Sequence, residues 1–448
     1  VWNYGNKRPL AQISFNQTGF IVQGNTVEES VVNTNSTWLC IKNKSYGIWE
    51  TPVCGYYVAG PGELFDAGAY PWGWEQLDYN DSAWIRAREA LAGSMKGGAD
   101  YPGRLLVPAP IPPSEYKVER FPSLRRADGI RVPKKFPLEK HPFTIPSNTK
   151  VHLILDQKYL TTGYLSLHYS QGEGAEVRLG YTEAYYSDPA LGLKEDRNEL
   201  EGKTFIGYED KIICDGGIGR VYTSLWWRTW RYVDIHIETK NKPLVIEDLH
   251  SIYSAYPFVK ESSFSAPENK DLEKILEIGW RTARLCANET YMDCPYYEQL
   301  QYWGDTRIQA MITLYNTHDT CMVKNALEQG RQSIGADGIT MGRYPTNSHQ
   351  FISSFSLWWI GMGYDYWMYR GDEKYMKTLL PAYRTILAWY EQWLKPDYTL
   401  GHIPYWFFVD WAEGFPNGEP LREKDGNSAL QDLMYLITLE SVAKMEKA

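Results

Sequence analysis

The chain has 448 residues, more than one ordinary domain holds, and length alone points to about three domains. Its 46 Lys plus Arg stand against 55 Asp plus Glu, a net charge of −9 with no basic stripe, which argues against nucleic acid or an anionic membrane as partner. Its 18 Trp and 34 Tyr suit the stacking of sugar CH faces and equally the filling of large cores, so either use accounts for any one ring.

The sequence opens at Val1 with no signal-peptide pattern, as expected of a processed N-terminus or of a start inside a larger protein. Up to about residue 260, short runs rich in Val, Ile, Thr and Tyr are broken by Gly, Pro, Asn and Asp, which predicts an all-β region. The clearest strands are Val151–Leu155 running into Tyr164–Tyr169, then Glu176–Tyr181, Lys211–Cys214 and Tyr232–Ile237, at the spacing of a sandwich. The proline-rich stretch from Val107 to Pro113 cannot join a sheet interior. Together with the basic turn Arg125-Arg126 and Pro133, it divides this region into an expected jelly-roll-like sandwich over 1–135 and a second sandwich over 140–260.

From about residue 265 the period becomes helical. Leu272, Ile275, Leu276, Trp280, Ala283 and Leu285 recur at three and four, and further helices are predicted at about 306–316, 320–333, 353–369, 373–394 and 428–446. Asp305 and Ser353 are expected as N-caps and Gly371 as a C-terminal stop. Six helices without strands over 265–448 predict the first half of an α/α toroid, with an apolar flank left open.

Six scattered cysteines, with no CxxC and no His at metal spacing, predict neither a disulfide scaffold nor a zinc site; Cys40 and Cys54 are the one pair with a case for bridging. No run of 18 apolar residues is present, so no membrane span is expected. The aromatic-rich, multi-sandwich build suits a periplasmic or extracellular protein, with a cytoplasmic one as the alternative.

The chemistry concentrates between the first two helices, in Asp293-Cys294-Pro295-Tyr296-Tyr297-Glu298-Gln299-Leu300-Gln301-Tyr302-Trp303-Gly304-Asp305. Pro295 drives Cys294 out of the helical region, and Gly304 allows the turn into the next helix, so this is a loop on a rigid scaffold. A carboxyl among Tyr297, Tyr302 and Trp303 is poorly solvated, which raises its pKa toward that of a general acid. The plainer alternative leaves Asp305 as a helix cap and Glu298 in solvent.

This segment resembles the signature of the bacterial α-L-rhamnosidases, glycoside hydrolase family 78. That signature runs Asp-Cys-Pro, a Glu five places after the Asp, aromatic residues and Gly-Asp. The helix ending Arg281-Thr282-Ala283-Arg284-Leu285-Cys286-Ala287-Asn288-Glu289 is similar as well. So are Gly62–Ala67, Gly73-Trp74 and Tyr79–Trp84 of an upstream jelly roll, and Trp227–Val233 of the strand that closes the sandwich.

The resemblance implies β-sandwich domains followed by an (α/α)6 barrel and inverting hydrolysis of terminal α-L-rhamnosides, without metal or organic cofactor. It implies Glu298 as general acid and Asp293 and Asp305 as grips on rhamnose hydroxyls, with Trp303 beside them. The loop Tyr405–Glu413 resembles the family's Asp-Trp loop, which implies substrate contacts for Asp410, Trp411 and Trp406. Arg343 and His349 fall in a long connection on what would be the same rim. Tyr296-Tyr297 replace a basic and acidic run of the commoner version, which bears on substrate fit. The general base is expected outside this sequence, since neither Glu391 nor Glu413 has a matching context. A different sugar preference, or a carbohydrate-binding protein without hydrolysis, stays open.

Overall fold

The computed structural model describes residues 9–11, 19–89 and 107–448. The alternating runs form β1 (Leu39–Cys40), β2 (Tyr46–Trp49), β3 (Gly62–Asp66), β4 (Ile85–Arg86), β5 (Glu115–Glu119), β6 (Ser123–Asp128) and β7 (Phe143–Ile145). They continue as β8 (Lys150–Gln171), β9 (Glu176–Thr182), β10 (Tyr208–Ile213), β11 (Arg220–Thr223), β12 (Arg228–Glu238) and β13 (Leu244–Ala255). Eleven of these make one sheet, ordered β2-β3-β10-β9-β12-β8-β13-β5, with β6 and β11 added on β8 and β7 on β13.

The 22-residue β8 is the spine of this sheet. Its first half pairs with β12 and β6, and its second half pairs with β13 and β11. Val151, Leu153 and Leu155 from the first half share one apolar core with Leu165, Leu167 and Tyr169 from the second, so the halves face each other as the layers of a sandwich. Gly163 sits where they divide. A β-carbon there would stand 2.6 Å from the Ile252 carbonyl oxygen, so a side chain would push β13 away.

Pairing crosses the division expected between residues 135 and 140. β3 runs parallel to β10, while β5 and β6 pair with β13 and β8, and Phe65 and Phe121 lie in the same core as the later strands. A proline run interrupts backbone bonding where it stands, but it does not decide which side chains pack together. A buried ionic knot reinforces the join: Arg228 reaches Glu63 at 3.0 Å and Asp210 at 2.6 Å, with Tyr222 donating to Glu63 and Tyr181 to Asp210.

The six helices are α1 (Lys270–Leu285), α2 (Trp303–Asn316), α3 (Cys321–Gln332), α4 (Ser353–Arg370), α5 (Glu373–Glu391) and α6 (Ala429–Lys447). α2, α4 and α6 lie side by side, with α3 and α5 packed against them as a second layer, as in a partial α/α-type domain. Small residues on α4 permit this closeness: Gly363 faces the Tyr383 hydroxyl and Gly361 the Arg307 guanidinium, with no room for a β-carbon at either. Leu272, Ile275 and Leu276, the stripe that marked α1 in the sequence, are exposed, as are Leu433, Leu436 and Ile437 on α6.

Gly371 ends α4 in the left-handed conformation, as expected. Asp305 and Ser353 are not N-caps; Tyr302 and Ile352 hold those positions, without side-chain capping bonds. Neighbouring loops do that work instead, since Trp303 N–H donates to the Gly342 carbonyl and Ser353 N–H to the Trp406 carbonyl. All six cysteines are free, Cys40 and Cys54 included. Among the described residues, no helix is long and apolar enough to cross a membrane.

Candidate active site

Three connections meet at one end of the helical layers: the α1–α2, α3–α4 and α5–α6 loops. Tyr302 bridges to Arg343, Ile352 bridges to Trp406, and the two cap bonds above stitch the same strands of loop together. Ring contacts follow the stitching, from Tyr302 to Phe355 (6.3 Å), Phe355 to Phe408 (5.8 Å) and Phe408 to Trp411 (5.2 Å).

Within the α1–α2 loop, Asp293 N–H donates to the Leu300 carbonyl at 2.8 Å, and Asp293 Oδ1 accepts from Leu300 N–H at 2.9 Å. This pinches residues 293–300 into a closed turn. Gln299 takes a left-handed φ of +59° inside it, held by its amide on the Pro295 carbonyl and by Trp226 Nε1 donating to its Oε1. The β region clamps the turn from outside. Tyr296 is buried in the sandwich core and donates to the Tyr181 carbonyl, Thr229 donates to the Pro295 carbonyl, and the Tyr297 hydroxyl meets Lys194 and Tyr186. The pair Tyr296-Tyr297 therefore docks the loop on the sheet.

Asp293, Glu298 and Asp305 are all half-buried, and their charges couple. Burial pushes the Asp293 carboxyl up to about 7, with the Glu298 charge adding and backbone N–H groups of Leu300 and Cys294 opposing. Burial likewise lifts Asp305 to about 6; its own backbone N–H opposes this, and the charges of Glu298 and Asp410 add to it. Glu298 is also raised by burial, opposed by the Tyr302 hydroxyl, which donates to its Oε2 at 3.1 Å, and by the Arg343 charge. Cys286 lies buried against Asp293 and Asp305, and its thiol is pushed up to about 12 by burial and then by those two charges.

The residues expected at this site differ in exposure. Asp410 is exposed and close enough to act electrostatically on Asp305. Trp411 is 73% exposed, and Trp406 packs on Phe408 with its indole N–H on the Asn417 carbonyl. Trp303 has no exposed surface; its ring fills the helical core and its N–H donates to the Met341 carbonyl at 2.6 Å. At the first position of α2 the Trp303 side chain points into the layers while that of Tyr302 points out. Tyr297 is likewise turned to the sheet, so the aromatic neighbour that touches Glu298 is Tyr302. His349 is exposed on the rim.

Arg343 is the residue whose part only the structure reveals. It is 5% exposed, donates to the Tyr302 hydroxyl at 2.7 Å, lies over the Tyr302 ring, and leaves its Nε without a partner. A buried guanidinium one hydroxyl away from Glu298 fixes the Tyr302 hydroxyl and favours the ionised form of that carboxyl. Its position in the chain, 45 residues from Glu298, carried no signal beyond its rim-loop location.

Residues 260–448 match the family model described as bacterial alpha-L-rhamnosidase 6 hairpin glycosidase domain. None of the curated proteins compared with the chain matches it. Among solved structures, a family GH78 rhamnosidase of Bacillus sp. GL1 is 22% identical with a TM-score of 0.59, over 71% of this chain and 31% of that one. A Klebsiella oxytoca rhamnosidase with rhamnose bound is 14% identical with a TM-score of 0.61, over 76% and 67%. A Streptomyces avermitilis alpha-L-rhamnosidase complexed with L-rhamnose is 18% identical with a TM-score of 0.57, over 88% and 34%. The chain thus shares their fold, while spanning about a third of the Bacillus and Streptomyces proteins and two thirds of the Klebsiella one.

Proposed function

We propose that the 293–305 loop is the acid side of an inverting glycosidase site that releases terminal α-L-rhamnose, with Glu298 as the proton donor. The observation that carries this reading is the set of three coupled, half-buried carboxyls, all titrating above their ordinary range, on a rim that also presents Asp410, Trp411 and Trp406. The match of residues 260–448 to a glycosidase domain supports it.

In this reading Glu298 protonates the departing glycosidic oxygen, and burial favours its protonated form. The Tyr302 hydroxyl, itself held by Arg343, then stabilises the carboxylate that remains. Asp305 and Asp410 accept sugar hydroxyls, and Trp411 or Trp406 stacks on the apolar ring face. Inversion also requires a second carboxylate about 6.5–9.5 Å from the acid, across a water. Glu391 and Glu413 are exposed, and we assign the base to neither.

A second reading has its own observation. Burial acts more strongly on Asp293 than on Glu298, so Asp293 could be the group that carries the proton. Glu298→Gln and Asp293→Asn separate the two with a pair of rhamnosides, one with an activated aryl leaving group and one with an alcohol. Loss of the true acid lowers kcat about 10²–10⁴-fold on the alkyl glycoside and far less on the aryl one. Equal turnover of both substrates by Glu298→Gln would remove Glu298 from this role. Hydrolysis of α-glucosides or β-glucuronides in preference to rhamnosides would leave the fold and move the sugar specificity; binding without hydrolysis of any of them would favour a carbohydrate-binding protein.

A further inference from the structure

We propose that His152, Asp234 and His236 form a binding site for a divalent transition metal, of a size and donor set suited to zinc, on the outer face of the β-sandwich. Asp234 and His236 are two apart on β12 and so point to the same side of the sheet, and His152 on β8 is the direct cross-strand partner of His236. The same strands send Leu153, Leu155, Val233 and Ile235 the other way, into the core. Register alone therefore gathers three donor side chains on one patch.

Their donor atoms converge on the Asp234 carboxylate. One donor atom from each lies within 4.8 Å of the others. His152 Nε2 stands 3.0 Å from Asp234 Oδ2, and His236 Nε2 stands 2.8 Å from Oδ1. Oδ1 nevertheless accepts no aligned hydrogen bond, so that nitrogen and that oxygen aim past each other. The two imidazoles stack at 4.3 Å and 8°. The Asp234 carboxylate between them is only 2% exposed, and a dication bound there would supply its counter-charge. Zinc bonds of about 2.0–2.1 Å place tetrahedral ligand atoms about 3.3 Å apart, so each His–Asp pair needs to open by a few tenths of an ångström, and the two imidazoles must turn out of their stack to bring both nitrogens onto one ion.

The surroundings fit a metal site. The Tyr185 hydroxyl, from the 183–207 segment laid over this face, donates to Asp234 Oδ2 and would orient the carboxylate. Asp128 on β6 lies opposite His152; Arg178 on β9 lies opposite His236 and is drawn to Glu209 at 3.7 Å. The His152 and His236 side chains are 23% and 39% exposed, which leaves an open side for water as the fourth ligand. An 82-residue gap between His152 and Asp234 hid the set from any spacing pattern.

The test is titration of chelator-treated protein with zinc by calorimetry, and with cobalt by visible absorption. We expect one equivalent bound, a tetrahedral cobalt band, and a melting temperature that rises with zinc concentration. His152→Gln with His236→Gln, both on partly exposed side chains, should abolish binding while the circular dichroism stays unchanged. Tyr185→Phe should keep the stoichiometry and weaken binding about 10-fold. No stoichiometric uptake at millimolar metal, or equal uptake by the double variant, would overturn the assignment.

Discussion

Replacing Asp293 by Asn isolates the cost of keeping a carboxyl out of water at the candidate site. The amide retains an oxygen for the Leu300 N–H and loses the charge, so the closed turn can survive the change. A carboxyl that titrates near 7 instead of 3.8 costs the folded state about 4 kcal/mol once ionised, at about 1.4 kcal/mol per pH unit. Because the folded value is the higher one, the wild type suffers no penalty below about pH 4. It loses stability as the pH climbs toward 7, and the loss is complete above that. Asp293 is only half-buried, and water reaching it reduces the figure to roughly 2 kcal/mol. The variant should therefore melt together with the wild type near about pH 4 and about 4 °C above it near about pH 8. Differential scanning calorimetry across that range measures the difference directly. A variant that tracks the wild type at every pH, or falls below it only in alkali, would show that burial does not hold this proton.

Three other changes probe the surrounding structure. Tyr302→Phe deletes the hydroxyl that favours ionised Glu298, so the Glu298 carboxyl should hold its proton to higher pH and the alkaline limb of kcat/KM should move up; an unmoved limb argues against Glu298 as the titrating acid. Trp303→Ala should cost about 3–5 kcal/mol of stability, read as a lower melting temperature, because it empties a filled core position. A raised KM at unchanged melting temperature would instead return that ring to the substrate. Arg228→Met leaves Glu63 and Asp210 buried without their cation and should cost about 3–5 kcal/mol, more at alkaline than at acid pH. Glu63, pushed up to about 7 by burial even with Arg228 beside it, is the group expected to take up a proton in that variant.

Periodicity alone placed every helix within a few residues, because a three-and-four apolar repeat admits no other regular backbone. Pro295 likewise marked the start of the 293–302 loop before any coordinates, since proline restricts dihedrals locally, whereas Gly304 lies inside α2 against Phe355. Whatever depends on direction or on distant neighbours lay beyond such reading. Trp303 and Tyr302 are adjacent, yet one fills the core and the other meets Glu298, because the start of α2 is set by bonds from Gly342 and not by Asp305. Arg343 reaches the site through a loop joined to Tyr302 in space, and β2 and β3 enter the sheet across a proline run. A carboxyl's pKa is a sum over water excluded and charges gathered from the whole fold, so the sequence named the acids and only their packing decided how tightly each holds its proton.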